Sequence, residues 1–193
     1  MLERPLFLLV LFFFAGAARA EETLRWRAAI LAGRASEKPA AGVTNPGVKI
    51  GGVELGRAFM DFMEFGYSFS YAGIVQKQEL TAARTGYDVT FHIIFADFLL
   101  DTTARGFYAG PELGIVSRSL RKAGQNVSLN ALALGARAGY NYPLNARFSL
   151  GLQAQYLTVG DAKNTVTENN ISTTYRASNT GYAKGLLLLS CKL

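Results

Sequence analysis

From Arg147 to Thr158 the chain alternates strictly. Phe148, Leu150, Leu152, Ala154 and Tyr156 fall on one parity, and Ser149, Gly151, Gln153 and Gln155 on the other. Successive side chains of an extended strand point to opposite faces, so this pattern specifies a strand with one apolar and one polar face. Comparable alternation recurs at 24–35, 48–59, 63–75, 86–98, 105–118, 128–141, 147–158 and 179–193. A strand of about 10 residues suffices to cross a bilayer when tilted. The reading is an all-β fold: an eight-stranded antiparallel up-and-down transmembrane β-barrel, whose even strand number lets the last strand pair with the first and leaves no exposed edge.

The first twenty residues read as a signal peptide. Arg4 precedes an apolar run from Leu6 to Ala17, and Ala18-Arg19-Ala20 offers small residues for cleavage after Ala20. The run is short of the roughly 20 residues a spanning helix needs. Residues 21–193 then form one barrel domain. Cys191 is the sole cysteine, which excludes an internal disulfide and an N-terminal lipidated cysteine. The net charge of +6 is scattered, with no basic run longer than Arg121-Lys122, which argues against nucleic acid and favours attraction to lipopolysaccharide phosphates.

Connections alternate in length. Segments 36–47, 76–85, 119–127 and 159–178 are long and polar, with turn signals such as Asn45-Pro46-Gly47 and Asn169-Asn170, whereas 60–62, 99–104 and 142–146 are short. Hairpins that cross a membrane show this asymmetry, with long loops outside and both termini on the periplasmic side.

Alternation alone does not say which face meets lipid, because a soluble lipocalin-like carrier alternates with its apolar face inward. Bulky residues crowd one parity: Met63, Phe65, Tyr67, Phe69 and Tyr71, then Tyr87, Val89, Phe91, Ile93 and Phe95. A narrow lumen has little room for so many rings, so both sets are expected to face outward. The opposite parity holds small and charged residues: Glu64, Gly66, Ser68 and Ser70; Asp88, Thr90 and His92; Gly110, Glu112 and Gly114; Gly135, Arg137 and Gly139. Aromatics near the expected strand ends, namely Trp26, Tyr87, Phe107, Tyr140 and Tyr156, suit the lipid–water boundary. Two residues strain the scheme. Pro111 lacks a ladder N–H, so a bulge or a lost ladder bond is expected there, and Arg57 faces out if Glu54 faces in, tolerable where its stem can snorkel.

Gly106-Phe107-Tyr108-Ala109-Gly110-Pro111-Glu112-Leu113-Gly114 and Leu134-Gly135-Ala136-Arg137-Ala138-Gly139-Tyr140 resemble strand motifs of the small outer-membrane β-barrel families, those of the OmpA transmembrane domain, the opacity-type and the OmpW-type proteins. The resemblance implies insertion by the barrel-assembly machinery into the outer membrane of a Gram-negative bacterium. Those families commonly end in an aromatic residue, whereas this chain ends Leu189-Ser190-Cys191-Lys192-Leu193.

The sequence offers little chemistry. His92 is the only histidine, which limits triads and metal sites alike. No catalytic, metal or cofactor-binding residues are assigned, and no cofactor is expected. The inward charges are more informative: Arg27, Glu54, Glu64, His92, Glu112, Arg137 and Lys184 are expected to form a lumen network, with Arg25, Asp88 and Lys192 as further members and Arg137 paired to Glu112 or Glu64. Unpaired, such charges are costly; paired, they fill and fix an interior. The expected role is non-enzymatic: structure, surface contact or adhesion, with the longest loop, around Asp161 to Arg176, as the surface for an extracellular partner. Alternatives are a narrow channel, a lipid-A-modifying enzyme and the soluble carrier.

Overall fold

The computed structural model of the protein describes residues 26–38, 43–44, 47–60, 62–78, 84–100, 106–122, 125–168 and 171–193. The proposed signal peptide and Arg25 lie outside these residues. The strands are β1 (Trp26–Glu37), β2 (Val43–Thr44), β3 (Val48–Met60), β4 (Met63–Gln78), β5 (Arg84–Leu99), β6 (Gly106–Lys122), β7 (Gln125–Pro143), β8 (Phe148–Val159), β9 (Ala162–Glu168), β10 (Ile171–Ala177) and β11 (Thr180–Lys192). Eight of them close a ring, β4-β3-β1-β11-β8-β7-β6-β5 and back to β4. The closing seam of first and last strand runs from Arg27 opposite Lys192 to Glu37 opposite Tyr182, antiparallel throughout. The wall therefore has no free edge, the condition for a sheet to survive in hydrocarbon.

One rim carries the tight turns and both ends of the barrel sequence; the other carries the longer connections. At that loop rim the strands outrun expectation. β6 and β7 stay paired out to Lys122 opposite Gln125, so the connection expected across 119–127 is mostly strand. The long segment 159–178 folds as the β9–β10 hairpin, in which Thr165 and Thr174 meet through their hydroxyls at 3.0 Å. β-Branched residues such as Val166, Thr173 and Thr174 favour extended pairing even in a polar loop. Gly47, just ahead of β3, adopts a φ of 71° that other residues resist.

The outer wall is greasy. Leu132, Leu134, Leu152, Phe107 and Leu187 are exposed on it, Leu152 by 62 %. Along β8 the belt runs from Phe148 to Tyr156, which at roughly 3.3 Å per residue and a tilt of about 40° spans about 20 Å. Above it stand polar outward residues, among them Arg34 and Lys49, directly opposite each other on β1 and β3. At the short-turn rim Arg57 faces out as expected, its guanidinium 5.1 Å from the centre of the Trp26 ring. Phe107 and Tyr140 pack with ring centres 4.8 Å apart. Cys191 lies on the outward parity of β11 and is partly buried.

Strand β5 overturns the sequence reading. Phe91, Ile93 and Phe95 face the lumen with at most 1 % exposure, Tyr87 points the same way, and Asp88, Thr90 and His92 take the outward parity. Room for the rings comes from neighbouring strands: a Cβ added at Gly66 would collide with the Phe95 ring, and one at Gly139 with Tyr108. Glycines on the inner wall thus let a narrow barrel hold aromatics that its diameter alone would refuse. Pro111 produces no bulge. The β5–β6 register of Phe95 opposite Glu112 resumes unchanged at Phe98 opposite Ala109, with the pairing lapsing in between, while Pro111 still sits opposite Ala136 on β7.

Candidate functional site

The lumen has three levels. Nearest the short turns, Glu54 of β3 bridges two guanidiniums: its Oε1 accepts from Arg27 Nη2 at 2.6 Å, and its Oε2 accepts from Arg137 Nη1 at 2.7 Å. Arg27 also donates to Glu64, from Nε at 2.9 Å and from Nη2 at 2.5 Å. Arg137 holds Asp97 in a two-pronged grip, Nε to Oδ1 at 2.7 Å and Nη2 to Oδ2 at 2.5 Å. Two cations thus pair with three carboxylates from β3, β4 and β5 in a dry setting, where charge-assisted bonds are strong and breaking a pair is costly. Geometry permits this because Gly56 lies beside Arg27 without a Cβ; a methyl there would strike the Glu64 carboxylate. Phe95 backs the cluster, with its ring centre 3.2 Å from the Arg137 guanidinium carbon, and Tyr108 donates to Gln153 Oε1 at 2.5 Å.

The middle level is apolar. Leu31, Phe91, Leu129, Leu157 and Leu188 come from five strands and none is more than 1 % exposed. Side chains with no surface for a water-sized probe do not line an aqueous passage. At its margin Lys184 places its ammonium 3.6 Å from the centre of the Phe91 ring and donates to Ser70 Oγ at 3.4 Å. Glu112 is 2 % exposed, and neither of its carboxylate oxygens has a hydrogen-bond partner.

The upper level, at the loop rim, is built from tyrosines. Glu37 accepts from Tyr182 at 3.0 Å through Oε1 and from the Tyr87 hydroxyl through Oε2. Arg118 Nε donates to the Tyr182 hydroxyl at 3.0 Å, and the Tyr182 ring packs edge-on against Phe91 at 5.2 Å.

Of the residues expected in the lumen network, Arg27, Glu54, Glu64 and Arg137 come together. Arg137 pairs with neither Glu112 nor Glu64, but with Glu54 and Asp97. Glu112 and Lys184 face inward outside the ion pairs, and Lys192 is exposed at the rim. His92 is not in the lumen at all. It stands on the outer wall, where its Nδ1 lies 2.7 Å from the Tyr67 hydroxyl and its ring 5.1 Å from that of Phe69. Asp88 is likewise outward and accepts from the Tyr71 hydroxyl at 2.6 Å. Both departures follow from the inverted parity of β5, which also brings in the unforeseen Asp97. Glu37, Arg118 and Tyr182 were missed too, although Arg118 shares parity with Glu112 and Tyr182 with Lys184.

Solved structures with this architecture include Neisserial surface protein A, at 15 % identity over 88 % of this chain and 97 % of that one, with a TM-score of 0.64. Another is Ail, the attachment invasion locus protein of Yersinia pestis, in complex with the heparin analogue sucrose octasulfate, at 10 % identity over 89 % of this chain and 100 % of that one, TM-score 0.58. A third is outer membrane protein OprG from Pseudomonas aeruginosa, at 12 % identity over 88 % and 95 %, TM-score 0.56. No protein-family model and no curated protein matches the sequence.

Proposed function

We propose that this chain, which has the fold of the small eight-stranded outer-membrane barrels, is a non-enzymatic integral outer-membrane protein whose sealed barrel is a rigid platform for surface contact, with the β9–β10 hairpin as the principal contact element. The observation that carries this reading is the filled lumen: a Glu54-bridged ion cluster, an apolar layer and a tyrosine layer are stacked along one axis. A scaffold gains from such rigidity, and a pore would lose conduction to it. Ail, whose structure holds the heparin analogue sucrose octasulfate, supports surface contact as the use of such a barrel.

In this reading residues 1–20 are removed at export, after which the barrel-assembly machinery inserts the chain. Arg34 and Lys49, side by side above the apolar belt, attract lipopolysaccharide phosphates. His92 has no part in catalysis, since its Nδ1 engages Tyr67 on the lipid side.

The test is planar-bilayer recording of the refolded protein, with an unheated against boiled gel to certify the closed barrel. A silent bilayer with a heat-shifted band is expected. Discrete, reproducible conductance steps from the same preparation would replace the scaffold with a channel.

A further inference from the structure

At the loop rim the lumen opens into a cavity of about 600 Å³. Among the described residues three cations line it, Lys38, Arg118 and Arg176, against one carboxylate, Glu37. That carboxylate is already engaged on both oxygens by Tyr182 and Tyr87. Arg118 is 6 % exposed, yet it meets no carboxylate: Nε goes to the Tyr182 hydroxyl, Nη1 reaches the Ser178 carbonyl only at 3.5 Å, and Nη2 has no hydrogen-bond partner. A buried guanidinium that meets no carboxylate is costly unless an anion completes it.

The surrounding rim is also fixed in place. Lys38 N donates to the Gly181 carbonyl at 2.7 Å, Thr180 Oγ1 donates to the Lys38 carbonyl at 3.2 Å, and Asn179 N donates to Asp161 Oδ1 at 2.7 Å. These bonds fix the backbone around the opening, with the side-chain amide of Asn179 as a further donor in the lining.

We infer that this cavity is a binding site for a phosphate or sulfate monoester, with Arg118 as its floor and Arg176 and Lys38 as its rim. A tetrahedral oxyanion offers several acceptors to the fork of donors that a guanidinium presents. The group could be carried by a soluble ester or by a lipid headgroup reaching over the wall, since Tyr156 and Thr158 of the outward parity also line the opening. The site goes beyond the platform reading, because it binds whether or not the lumen conducts.

Isothermal titration of the full chain, refolded in zwitterionic micelles at low ionic strength, tests it with two phosphate monoesters as probes: soluble glycerol 3-phosphate and the lipid dihexanoyl phosphatidic acid. Both are expected to bind at or below millimolar concentration. Arg118→Gln should weaken binding by about tenfold or more, and the exposed Arg176→Ala by several-fold, since a hydrogen bond to a charged group carries about that factor. Added salt should weaken binding through screening. Tighter binding of the lipid probe names a headgroup as the occupant, and equal or weaker binding names a soluble ester. The inference is overturned if neither probe binds at millimolar concentration, or if both folded variants bind as the parent does. Unheated-gel mobility certifies folding, and Arg176→Ala carries the test alone should Arg118→Gln fail to fold.

Discussion

The two ends of the lumen solve the same problem differently. At the short-turn end every guanidinium is matched to carboxylates, and Glu54 ties Arg27 to Arg137. At the loop end Arg118 rests on a tyrosine hydroxyl and meets no carboxylate among the described residues, while Glu37 accepts from Tyr182 and Tyr87; each end leaves one guanidinium nitrogen without a hydrogen bond, Arg27 Nη1 at the first and Arg118 Nη2 at the second. The first arrangement closes on itself and so serves stability. The second leaves charge unspent beside an opening, as a site that waits for a ligand does. Substitutions at the two ends should therefore differ in what they damage.

The largest effect is expected from Glu54→Ala. Two buried guanidiniums lose their shared partner, and breaking a buried pair costs about 3–5 kcal/mol. Urea unfolding in lipid vesicles, read by Trp26 fluorescence and gel mobility, measures it. A loss well under that range would mean the lower cluster is hydrated and weak, and the contrast between the ends would vanish.

Gly66→Val ranks next. The added side chain strikes the Phe95 ring that backs Arg137, and overpacking a filled interior costs about 1–3 kcal/mol. The same unfolding assay should show a clear drop. An unchanged midpoint would argue that Phe95 has space to withdraw and that the inner glycines are not what accommodates the rings.

His92→Phe should cost little, within about 1 kcal/mol, because it removes one hydrogen bond to Tyr67 and places an apolar ring against lipid. A loss of several kcal/mol would put His92 back among the interior charges.

Arg118→Gln is expected to have the smallest effect on stability, within about 1 kcal/mol, since no carboxylate is abandoned when its charge goes. Its damage should appear in anion binding instead. Equal destabilisation by Arg118→Gln and Glu54→Ala would erase the division between a structural end and a binding end.

Those four positions also mark how far the sequence could be read. Glu54, Glu64 and Arg137 sit in stretches whose opposite parity is apolar, Val53 and Leu55 on β3, Phe65 and Tyr67 on β4, Leu134 and Ala136 on β7, so their inward direction was legible from alternation alone. Strand β5 is different. It carries polar groups on both parities, Asp88 and His92 on one and Asp97 on the other, with rings beside Asp97. Hydrophobicity favoured turning the rings outward; what decided otherwise was steric complementarity with Gly66, which faces Phe95, and Gly114, which faces Ile93, glycines of other strands that become neighbours only through register. Arg118 was hidden for a related reason. Its partners Tyr182 and Ser178 lie some sixty residues away, and the cavity it floors exists only because segment 159–178 folds as a hairpin beside the mouth. Closure, strand number and the lipid-facing parity of β4 and β8 needed no such information, because they follow from period-two patterning within each strand.

The account depends on charges and rings sharing the axis of the barrel while the opposite parity of every strand meets lipid. β5 tests this most severely. A spin label scanned through positions 89–96 in a Cys191→Ser background, in bilayers, reports collision with oxygen dissolved in the acyl region. The account predicts high oxygen accessibility at 90, 92, 94 and 96 and low accessibility at 89, 91, 93 and 95. The reverse alternation would place Phe91 and Phe95 in the membrane and leave Arg137 without its aromatic support, contradicting the lumen described above.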